Sequence, residues 1–385
     1  MEAYLDNSAT TRAFDEVASL VAKVMTEEYG NPSSVHHMGT VSGDRLISAR
    51  ESIASTLKVD PQEIVFTSGG TESDNLALVG VARANKWRGK HIITTAIEHP
   101  AILETAAYLE KEGFEITYLP VGNDGAVDIQ ELKKAIREDT ILVSMMFVNN
   151  EIGTIEPVSE AGAAIKAINP DIYFHVDAVQ AYGKVVIRPR AMNIDLLSVS
   201  GHKIHGPKGT GFLYIKKGTR IVPICYGGGQ QKGMRSGTEN VPGIAGLSLA
   251  AKMCYEDFDK HISELYELKK YLIDSLKDRL TDIKINGQEW DKGAPHIVSL
   301  SIKGLAAETV LNMLSSKGIY VSAGSACTSN NPHVSDTLKA IGLDKDLLES
   351  TIRISMSLMT TKEEVDYLLD NLCAQVDVMR KFYRH

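Results

Sequence analysis

The residue that most directly suggests chemistry is a lysine at the end of an apolar run. The segment Asp195-Leu-Leu-Ser-Val-Ser-Gly-His-Lys203 leads from a strand-like stretch into a turn of small and polar residues. Burial at a strand end lowers the pKa of a lysine, and the neutral amine is a nucleophile for carbonyl carbon. A lysine that simply extends its ammonium from the strand end into water is the ordinary alternative. Neighbouring motifs favour the chemical role.

A glycine-containing turn between a strand and a helix is a candidate phosphate site. The strand Ile64–Thr67 is followed by Ser68-Gly-Gly70, and a helix is expected to open at Thr71. Glycines let the backbone approach an anion, and a helix N-terminus offers unpaired amides and the positive end of its dipole. Because the Walker lysine is absent, a nucleoside triphosphate is not indicated. Taken alone, the motif fits better an ordinary helix start with Thr71 as the capping residue.

An acidic residue ends another predicted strand, in Tyr173-Phe-His-Val-Asp177-Ala-Val-Gln180. Asp177 is either a helix N-cap or a buried acid with a cationic partner, and a pyridinium nitrogen would be such a partner. Gln180 follows one helical turn later. Asp177 and Lys203 both stand at carboxyl ends of predicted strands, where open α/β sheets bind ligands.

Two further polar residues follow predicted strands. His99, in Thr95-Ala-Ile-Glu-His-Pro, could stack on an aromatic cofactor and shuttle protons, although a hydrogen-bonded structural histidine is commoner. Asn150, in Asn149-Asn-Glu-Ile-Gly, could contact cofactor or substrate, or could merely form an Asx turn.

A cysteine in a run of small polar residues is the candidate nucleophile. Cys327 lies in Val321-Ser-Ala-Gly-Ser-Ala-Cys-Thr-Ser-Asn-Asn-Pro332, which indicates an exposed, flexible loop at about 322–333. An accessible thiol can ionise and attack. Arg353 lies inside an apolar strand, so its charge needs a partner, either a substrate carboxylate or an internal acid. The remaining cysteines have apolar or helical neighbours and are predicted to pack in the core: Cys225, Cys254 and Cys373.

Composition excludes several classes of function. The 385 residues carry a net charge of −8, so there is no basic footprint for direct nucleic-acid binding. No stretch is apolar enough to span a bilayer, and the N-terminus has no secretory pattern. Four scattered cysteines do not make a disulfide scaffold, which favours a cytoplasmic protein. His202 and His205 lack further ligands at metal-binding spacing, so no metal site is expected.

The elements that must position these residues alternate between strands and helices. Strands are predicted at 64–67, 91–95, 141–147, 172–176, 195–199 and 211–215, with amphipathic helices at 43–57, 72–86, 100–111, 128–138 and 157–168. Continuously apolar strands are typical of a mainly parallel sheet between helices, so the fold class is α/β. A helical stretch at 244–279 leads to a smaller α+β unit with strands near 296–302 and 352–356 and helices near 306–316 and 362–381. We expect a large domain of residues 14–258, with 1–13 and 259–385 in a small domain that carries the cysteine loop.

Together these segments resemble the cysteine desulfurases of the NifS/IscS type. These belong to the class V aminotransferase group of fold-type I enzymes, which use pyridoxal 5′-phosphate (PLP). The matching stretches cover nearly the whole chain: Leu5-Asp-Asn-Ser-Ala-Thr-Thr11, Gly30-Asn-Pro-Ser-Ser34, Thr67-Ser-Gly-Gly-Thr-Glu-Ser73, Val148-Asn-Asn-Glu-Ile-Gly153, Ser200-Gly-His-Lys203, Arg235-Ser-Gly-Thr-Glu-Asn240, Ser325-Ala-Cys-Thr-Ser329 and Arg353. Gly70 stands where relatives often carry alanine.

The resemblance implies a role for each candidate. Lys203 would be the Schiff-base lysine, His99 would stack on the PLP ring, Asp177 would pair with its nitrogen and Gln180 with its phenolic oxygen. The phosphate would be held by Gly70, Thr71, Ser200 and His202. In a homodimer, Thr238 would reach the phosphate that is bound in the other subunit. Arg353 and Asn150 would hold the carboxylate of the substrate, L-cysteine. Asn150 would also contact the cofactor.

The implied reaction converts L-cysteine to L-alanine and leaves the sulfur on Cys327 as a persulfide. Protein acceptors would be an iron–sulfur scaffold or a tRNA-thiolation protein. Two other interpretations remain: a PLP enzyme of different outcome, such as a selenocysteine lyase or aminotransferase, and a catalytically silent sulfur-relay scaffold.

Overall fold

The structure is a computed structural model and describes residues 1–323 and 335–383. Helices are numbered along the chain: α1 Asp15–Thr26, α2 His37–Leu57, α3 Gly70–Asn85, α4 Pro100–Lys111, α5 Ile129–Ala135, α6 Val158–Ile168, α7 Val241–Glu256, α8 Phe258–Arg279, α9 Ala307–Ser315, α10 Asp336–Ala340, α11 Lys345–Leu348 and α12 Lys362–Tyr383. Short 3₁₀ turns lie at Pro61–Glu63, Gly201–Lys203 and Gln231–Gly233.

Strands are numbered in the same way: β1 Ala3–Tyr4, β2 Ile64–Thr67, β3 His91–Thr95, β4 Glu115–Leu119, β5 Thr140–Met146, β6 Tyr173–Asp177, β7 Leu196–Ser200, β8 Gly211–Ile215, β9 Ile283–Asn286, β10 Ile297–Ile302, β11 Ile319–Tyr320, β12 Ser322–Ala323 and β13 Thr351–Ser355. The strands predicted at 64–215 are all present, with bounds that differ by at most one residue. The structure adds eight elements that were not predicted: α1, α10, α11, β1, β4, β9, β11 and β12. β4 lies at the edge of its sheet and is mostly uncovered, so it lacks the continuous apolar pattern of the central strands.

The large sheet has the order β2-β8-β7-β6-β5-β3-β4. Strands β3 to β7 pair in parallel, whereas β8 runs antiparallel to both of its neighbours, β2 and β7. β2 therefore points the same way as the parallel strands. The inner strand β5 of this sheet is buried at every position, because helices cover both faces. The predicted α/β class with a mainly parallel sheet is confirmed.

Apolar side chains form a core on each face of this sheet. One face packs against α1, α2, α6 and α7, and the other packs against α3 and α4. The predicted helical stretch after residue 243 is divided between α7 and α8, with the break at Asp257.

A separate apolar core surrounds a second, antiparallel sheet of order β12-β13-β10-β9, which packs against α8, α9 and α12. The N-terminal residues Ala3 and Leu5 belong to this core, and β1 pairs in parallel with β11. These separate cores support the proposed division into a domain of 14–258 and a domain of 1–13 with 259–385. No helix in the described part of the chain is long and apolar enough to cross a membrane.

Candidate active site

The carboxyl ends of five strands meet at one edge of the large sheet. Because only β8 runs in the opposite direction, the segments that follow β2, β3, β5, β6 and β7 all emerge together. They line a cavity of about 180 Å³, and Arg353 from β13 closes it on the side of the second sheet. Ten of the residues predicted from the sequence line this cavity: Gly70, Thr71, His99, Asn150, Asp177, Gln180, Ser200, His202, Lys203 and Arg353.

Lys203 ends the 3₁₀ turn that follows β7. Its Nζ donates hydrogen bonds to the carbonyl oxygens of Ser8, at 2.6 Å, and Ala9, at 2.7 Å. The amine is therefore held inside the cavity by the N-terminal segment. Lys203 therefore does not extend its ammonium into bulk water, which was the alternative that the sequence allowed.

Asp177 ends β6 and is 6% exposed. One carboxylate oxygen accepts the amide of Val179 at 2.9 Å. Burial raises the pKa of Asp177, while the Val179 amide, His99 and Lys203 act in the opposite direction. A buried carboxylate with positive neighbours suits a cationic ring nitrogen, since the two charges then compensate each other.

His99 is both a hydrogen-bonded structural histidine and a residue of the cavity, the two alternatives that the sequence left open. Its Nδ1 accepts the amide of Ala101 at 3.1 Å, so the ring caps α4, and the same ring lines the cavity. Burial is the main cause that lowers its pKa, and Lys203 adds to that effect against the opposing Asp177. With Nδ1 as acceptor, the neutral ring carries its proton on Nε2.

The turn from β2 into α3 has the backbone of an anion site. α3 begins at Gly70, and Gly69 has φ 150° and ψ −172°, a conformation that only glycine adopts readily. The prediction of Thr71 as N-cap is wrong, because Thr71 lies inside the first turn and the capping position is Gly69, which has no side chain. The first amides of the helix are thus left for a ligand.

Two residues after β7 complete this end of the cavity. Ser200 lies beside Gly69, within 3.5 Å of where a Cβ at that position would lie. The ring of His202 contacts the hydroxyl of Thr10 at 3.1 Å. Burial, with help from Lys203, lowers the pKa of His202 to about 4. The ring would therefore offer a hydrogen bond to a phosphate rather than a charge.

Gln180 is oriented by two fixed partners. Its Nε2 donates to the carbonyl of Ser8 at 2.9 Å, and its Oε1 lies 3.4 Å from Nε2 of His296. His296 comes from the segment before β10, so the second sheet helps to set the direction of the Gln180 amide.

Asn150 and Arg353 meet through the backbone. Nη1 of Arg353 donates to the carbonyl of Asn150 at 2.9 Å, and Nη2 pairs with Asp6 at 2.8 Å. Asp6 is thus the internal acid that the sequence allowed as an alternative. The Asx turn belongs to Asn149, whose side chain accepts the amides of Glu151 and Ile152, so the side chain of Asn150 is not used in that way.

Nε of Arg353 is buried and has no hydrogen-bond partner among the described residues. Because Arg353 also lines the cavity, its guanidinium can meet an anion that is bound there.

Sequence reasoning missed several residues of the site. Ser8 and Asp74 line the cavity, and Asp6 pairs with Arg353. Burial, and next the charge of Asp177, raise the pKa of Asp74 well above its usual range. The sequence did contain a signal for Asp74, because it lies in Glu72-Ser-Asp-Asn75, one turn into a helix that starts at the cavity.

Thr238 is exposed on the glycine-rich loop after β8 and does not line this cavity. Cys327 lies outside the described residues. The prediction that Cys225 packs in the core is wrong, because it is exposed beside the glycine-rich segment 227–229, whereas Cys254 is buried as predicted.

The residues present fit PLP. The cavity holds an amine for covalent attachment at Lys203, a buried acid for the ring nitrogen at Asp177, and free helix amides for a phosphate after Gly69. No cluster of metal-ligating side chains occurs within 1–323 and 335–383.

Comparison with known proteins places this site in a family. The family profile described as aminotransferase class-V matches residues 3–368. The cysteine desulfurase IscS of Dictyoglomus turgidum is 45% identical over 379 residues, which cover 98% of this chain and 95% of the relative. A cysteine desulfurase IscS of Methanosarcina thermophila is 46% identical over 95% of this chain and 90% of its own.

The chain belongs to the cysteine desulfurases of the class-V aminotransferase family. Solved structures agree with this: a NifS-like protein has a TM-score of 0.93 at 40% identity, over 98% of this chain and all of its own. A structure described as SspA in complex with cysteine has a TM-score of 0.81 at 34% identity, over 93% of this chain and all of its own. PLP is the cofactor of this desulfurase.

Proposed function

We propose that the cavity at the carboxyl edge of the large sheet is where L-cysteine loses its sulfur. Lys203 removes the proton from the α-carbon of the substrate, and Cys327 receives the sulfur. The cysteine thiolate attacks the substrate sulfur, so that an S–S bond forms as the C–S bond breaks. The electron pair of the broken bond stays with the β-carbon, which gains a proton, and return of the removed proton to the α-carbon gives alanine. Cys327 is left as a persulfide.

One observation carries this proposal: Lys203 and Asp177 both face the cavity from adjacent strand ends. When bound, PLP supplies an electron sink for the charge that develops on the α-carbon. Asp177 would keep the ring nitrogen of PLP protonated, and neutral His99 would pack on the ring. The amides after Gly69, with Thr71, Ser200 and His202, would hold the phosphate, while Gln180 would contact the phenolic oxygen.

Arg353 and Asn150 would orient the substrate carboxylate. The unpartnered Nε of Arg353 supports this role, since a buried guanidinium gains from a second carboxylate. Asp6 already neutralises part of that charge. Asp6 would therefore weaken the attraction of Arg353 for an anionic substrate without abolishing it.

Sulfur delivery and assembly extend the proposal. We propose a homodimer in which Thr238 reaches the phosphate bound in the other subunit, because Thr238 is exposed on its own subunit. The persulfide would pass to a protein acceptor, an iron–sulfur scaffold or a tRNA-thiolation protein. A cytoplasmic location suits a reactive thiol, and the described cysteines are all free.

The test compares the wild type with Lys203→Ala and Cys327→Ala, measuring alanine release from L-cysteine and the absorbance of bound cofactor. Cys225→Ala is the matched control, because Cys225 is an exposed cysteine that does not line the cavity. We expect Lys203→Ala to lose more than about 10³-fold in rate. Cys327→Ala should keep the cofactor absorbance, lose sulfur transfer and lack the mass gain of one sulfur atom.

Each rival predicts a different result. If Cys327→Ala releases alanine at the wild-type rate, the enzyme is a PLP lyase or aminotransferase in which this cysteine is incidental. If the wild type neither binds PLP nor releases alanine, the chain is a silent sulfur-relay scaffold.

A further inference from the structure

A second lysine is buried directly behind Lys203. Lys184 ends the turn that follows β6, is 7% exposed and does not line the cavity. Its Nζ donates a hydrogen bond of 2.9 Å to the backbone carbonyl of Lys203. The carbonyl that it binds thus belongs to the residue proposed to attach the cofactor.

The local backbone explains how this lysine comes to point inward. Gly183 has φ +76°, and a Cβ there would lie 3.2 Å from Ile204 and 3.3 Å from Cys254. A larger residue there would be strained by the positive φ and would press against α7 and the segment after Lys203. This tight passage delivers the next side chain under the lysine turn.

Lys184 has no carboxylate partner within the part of the chain that the structure describes: its Nζ donates to a carbonyl and makes no ion pair there. Burial lowers its pKa to about 8; Cys254 acts in the opposite direction, and the charge of Lys203 lowers the pKa further. A buried cation without a counter-ion is costly, which makes a structural role alone a poor explanation for it.

The groups that face Lys184 come from three parts of the fold. Cys254 lies on α7 and has a pKa raised to about 12 by burial, so it is a neutral thiol. The other groups are three histidines: His202 and His205 around the turn, and His296 before β10. Burial is the main cause that lowers the pKa of each, and the charge of Lys184 lowers it further. Near neutral pH, Cys254 and these three histidines are therefore uncharged.

We propose that Lys184 is a positioning residue for Lys203, which fixes the turn that carries it and places a second positive charge behind its side chain. The inference rests on the proposed function, because it assumes that Lys203 attaches the cofactor. A neighbouring cation disfavours a proton on the Lys203 nitrogen. Lys184 thus helps to keep that nitrogen able to accept a proton from the substrate.

The test is a pH titration of the absorbance of bound cofactor in the holoenzyme, with Lys184→Met and Lys184→Arg. Met has a similar length but no charge, so we expect the midpoint to move upward by about one pH unit, a tenfold change in the proton dissociation constant. Arg stays charged at every accessible pH, so its midpoint should lie at or below that of the wild type.

Lys269→Met is the matched control. Lys269 is equally buried, donates to the carbonyl of Ala294 at 2.8 Å, and has a pKa lowered to about 8 by burial. It does not line the cavity. We expect it to lose thermal stability much as Lys184→Met does, while the midpoint stays at the wild-type value.

The outcomes separate this inference from the function on which it rests. A wild type without bound-cofactor absorbance contradicts the proposed function itself. A folded Lys184→Met with the wild-type midpoint, or an equal shift in Lys269→Met, overturns only the role of Lys184. If Lys184→Met does not fold, Lys184→Arg decides: an upward shift contradicts the proposal, and a midpoint at or below the wild type supports it.

Discussion

Buried titratable residues surround the cavity, and their protonation differs from that of the same groups in water. Burial raises the pKa of both Asp177 and Asp74, but His99 and Lys203 lower that of Asp177, whereas the charge of Asp177 raises that of Asp74 further. Two adjacent buried carboxyls cannot both ionise without a large electrostatic cost. The surroundings therefore favour a charge on Asp177 over one on Asp74, and a ring nitrogen would use it there.

Glu156 is a buried acid outside the cavity, and it gives a test of how burial affects stability. Its Oε2 accepts the amide of Val127, and its Oε1 has no partner among the described residues. Burial raises its pKa from 4.5 to about 8. A raised pKa in the folded state stabilises the fold fully below pH 4.5, and this contribution is lost as the pH rises through 8.

We expect Glu156→Gln to be more stable than the wild type above pH 8, on the order of 1–3 kcal/mol in the free energy of unfolding. The measurement is urea unfolding at pH 6 and pH 9. The control is Glu160→Gln, an exposed position on α6. A stability difference from the wild type that does not change between the two pH values would contradict the raised pKa.

Among the elements, the turn between β2 and α3 places the tightest demand on the backbone. Gly69→Ala forces a side chain into a conformation of φ 150°, although the space itself is adequate, with Ser200 at 3.5 Å. We expect a loss of about 1–3 kcal/mol in stability and a weaker affinity for PLP, because the first amides of α3 turn away from the phosphate.

Gly218→Ala is the control for this prediction. Gly218 has φ +95° with nothing within 4 Å of an added Cβ, and it lies in an exposed turn away from the cavity. It should cost stability without changing the Kd for PLP, measured by equilibrium binding to the apoprotein. If Gly69→Ala binds PLP as the wild type does, this turn does not hold the phosphate.

At the scale of the whole molecule, the proposed homodimer makes a prediction about shared sites. If Thr238 contacts the phosphate of the other subunit, Thr238→Ala should weaken PLP binding roughly tenfold, as expected for one lost hydrogen bond to a charged group. Light scattering should give the mass of two chains.

Mixed dimers show which subunit supplies the residue. A dimer of one Lys203→Ala chain and one Thr238→Ala chain contains one intact site if Thr238 acts across the interface, and none if it acts within its own chain. Restored alanine release on mixing supports the first arrangement. Activity no higher than that of Thr238→Ala alone excludes it.

The parts of the site that follow strands were predictable, because a strand and the polar residue at its end are adjacent in sequence. Lys203, Asp177 and His99 line the cavity for that reason. The partners of these residues were not predictable, since they come from distant segments: Ser8 accepts from Lys203, and Asp6 pairs with Arg353.

Two predictions made from local sequence were wrong, because the path of the backbone mattered more than the residue types nearby. The helix start was assigned to Thr71 because threonine is a good cap, but the tight turn at Gly69 begins the helix earlier. Cys225 has apolar neighbours in sequence, yet its segment runs along the surface.

The N-terminal segment has a consequence for the order in which the enzyme is made. Residues 6–9 supply the acceptors of Lys203 and the acid of Arg353, and Asn7 bonds to the carbonyl of Ser355. These residues thus wait for partners that are synthesised about 350 residues later. The large sheet can form beforehand, but the cavity is complete only once β13 has joined it. A nascent chain stalled before β13 should therefore fold in part and bind PLP poorly.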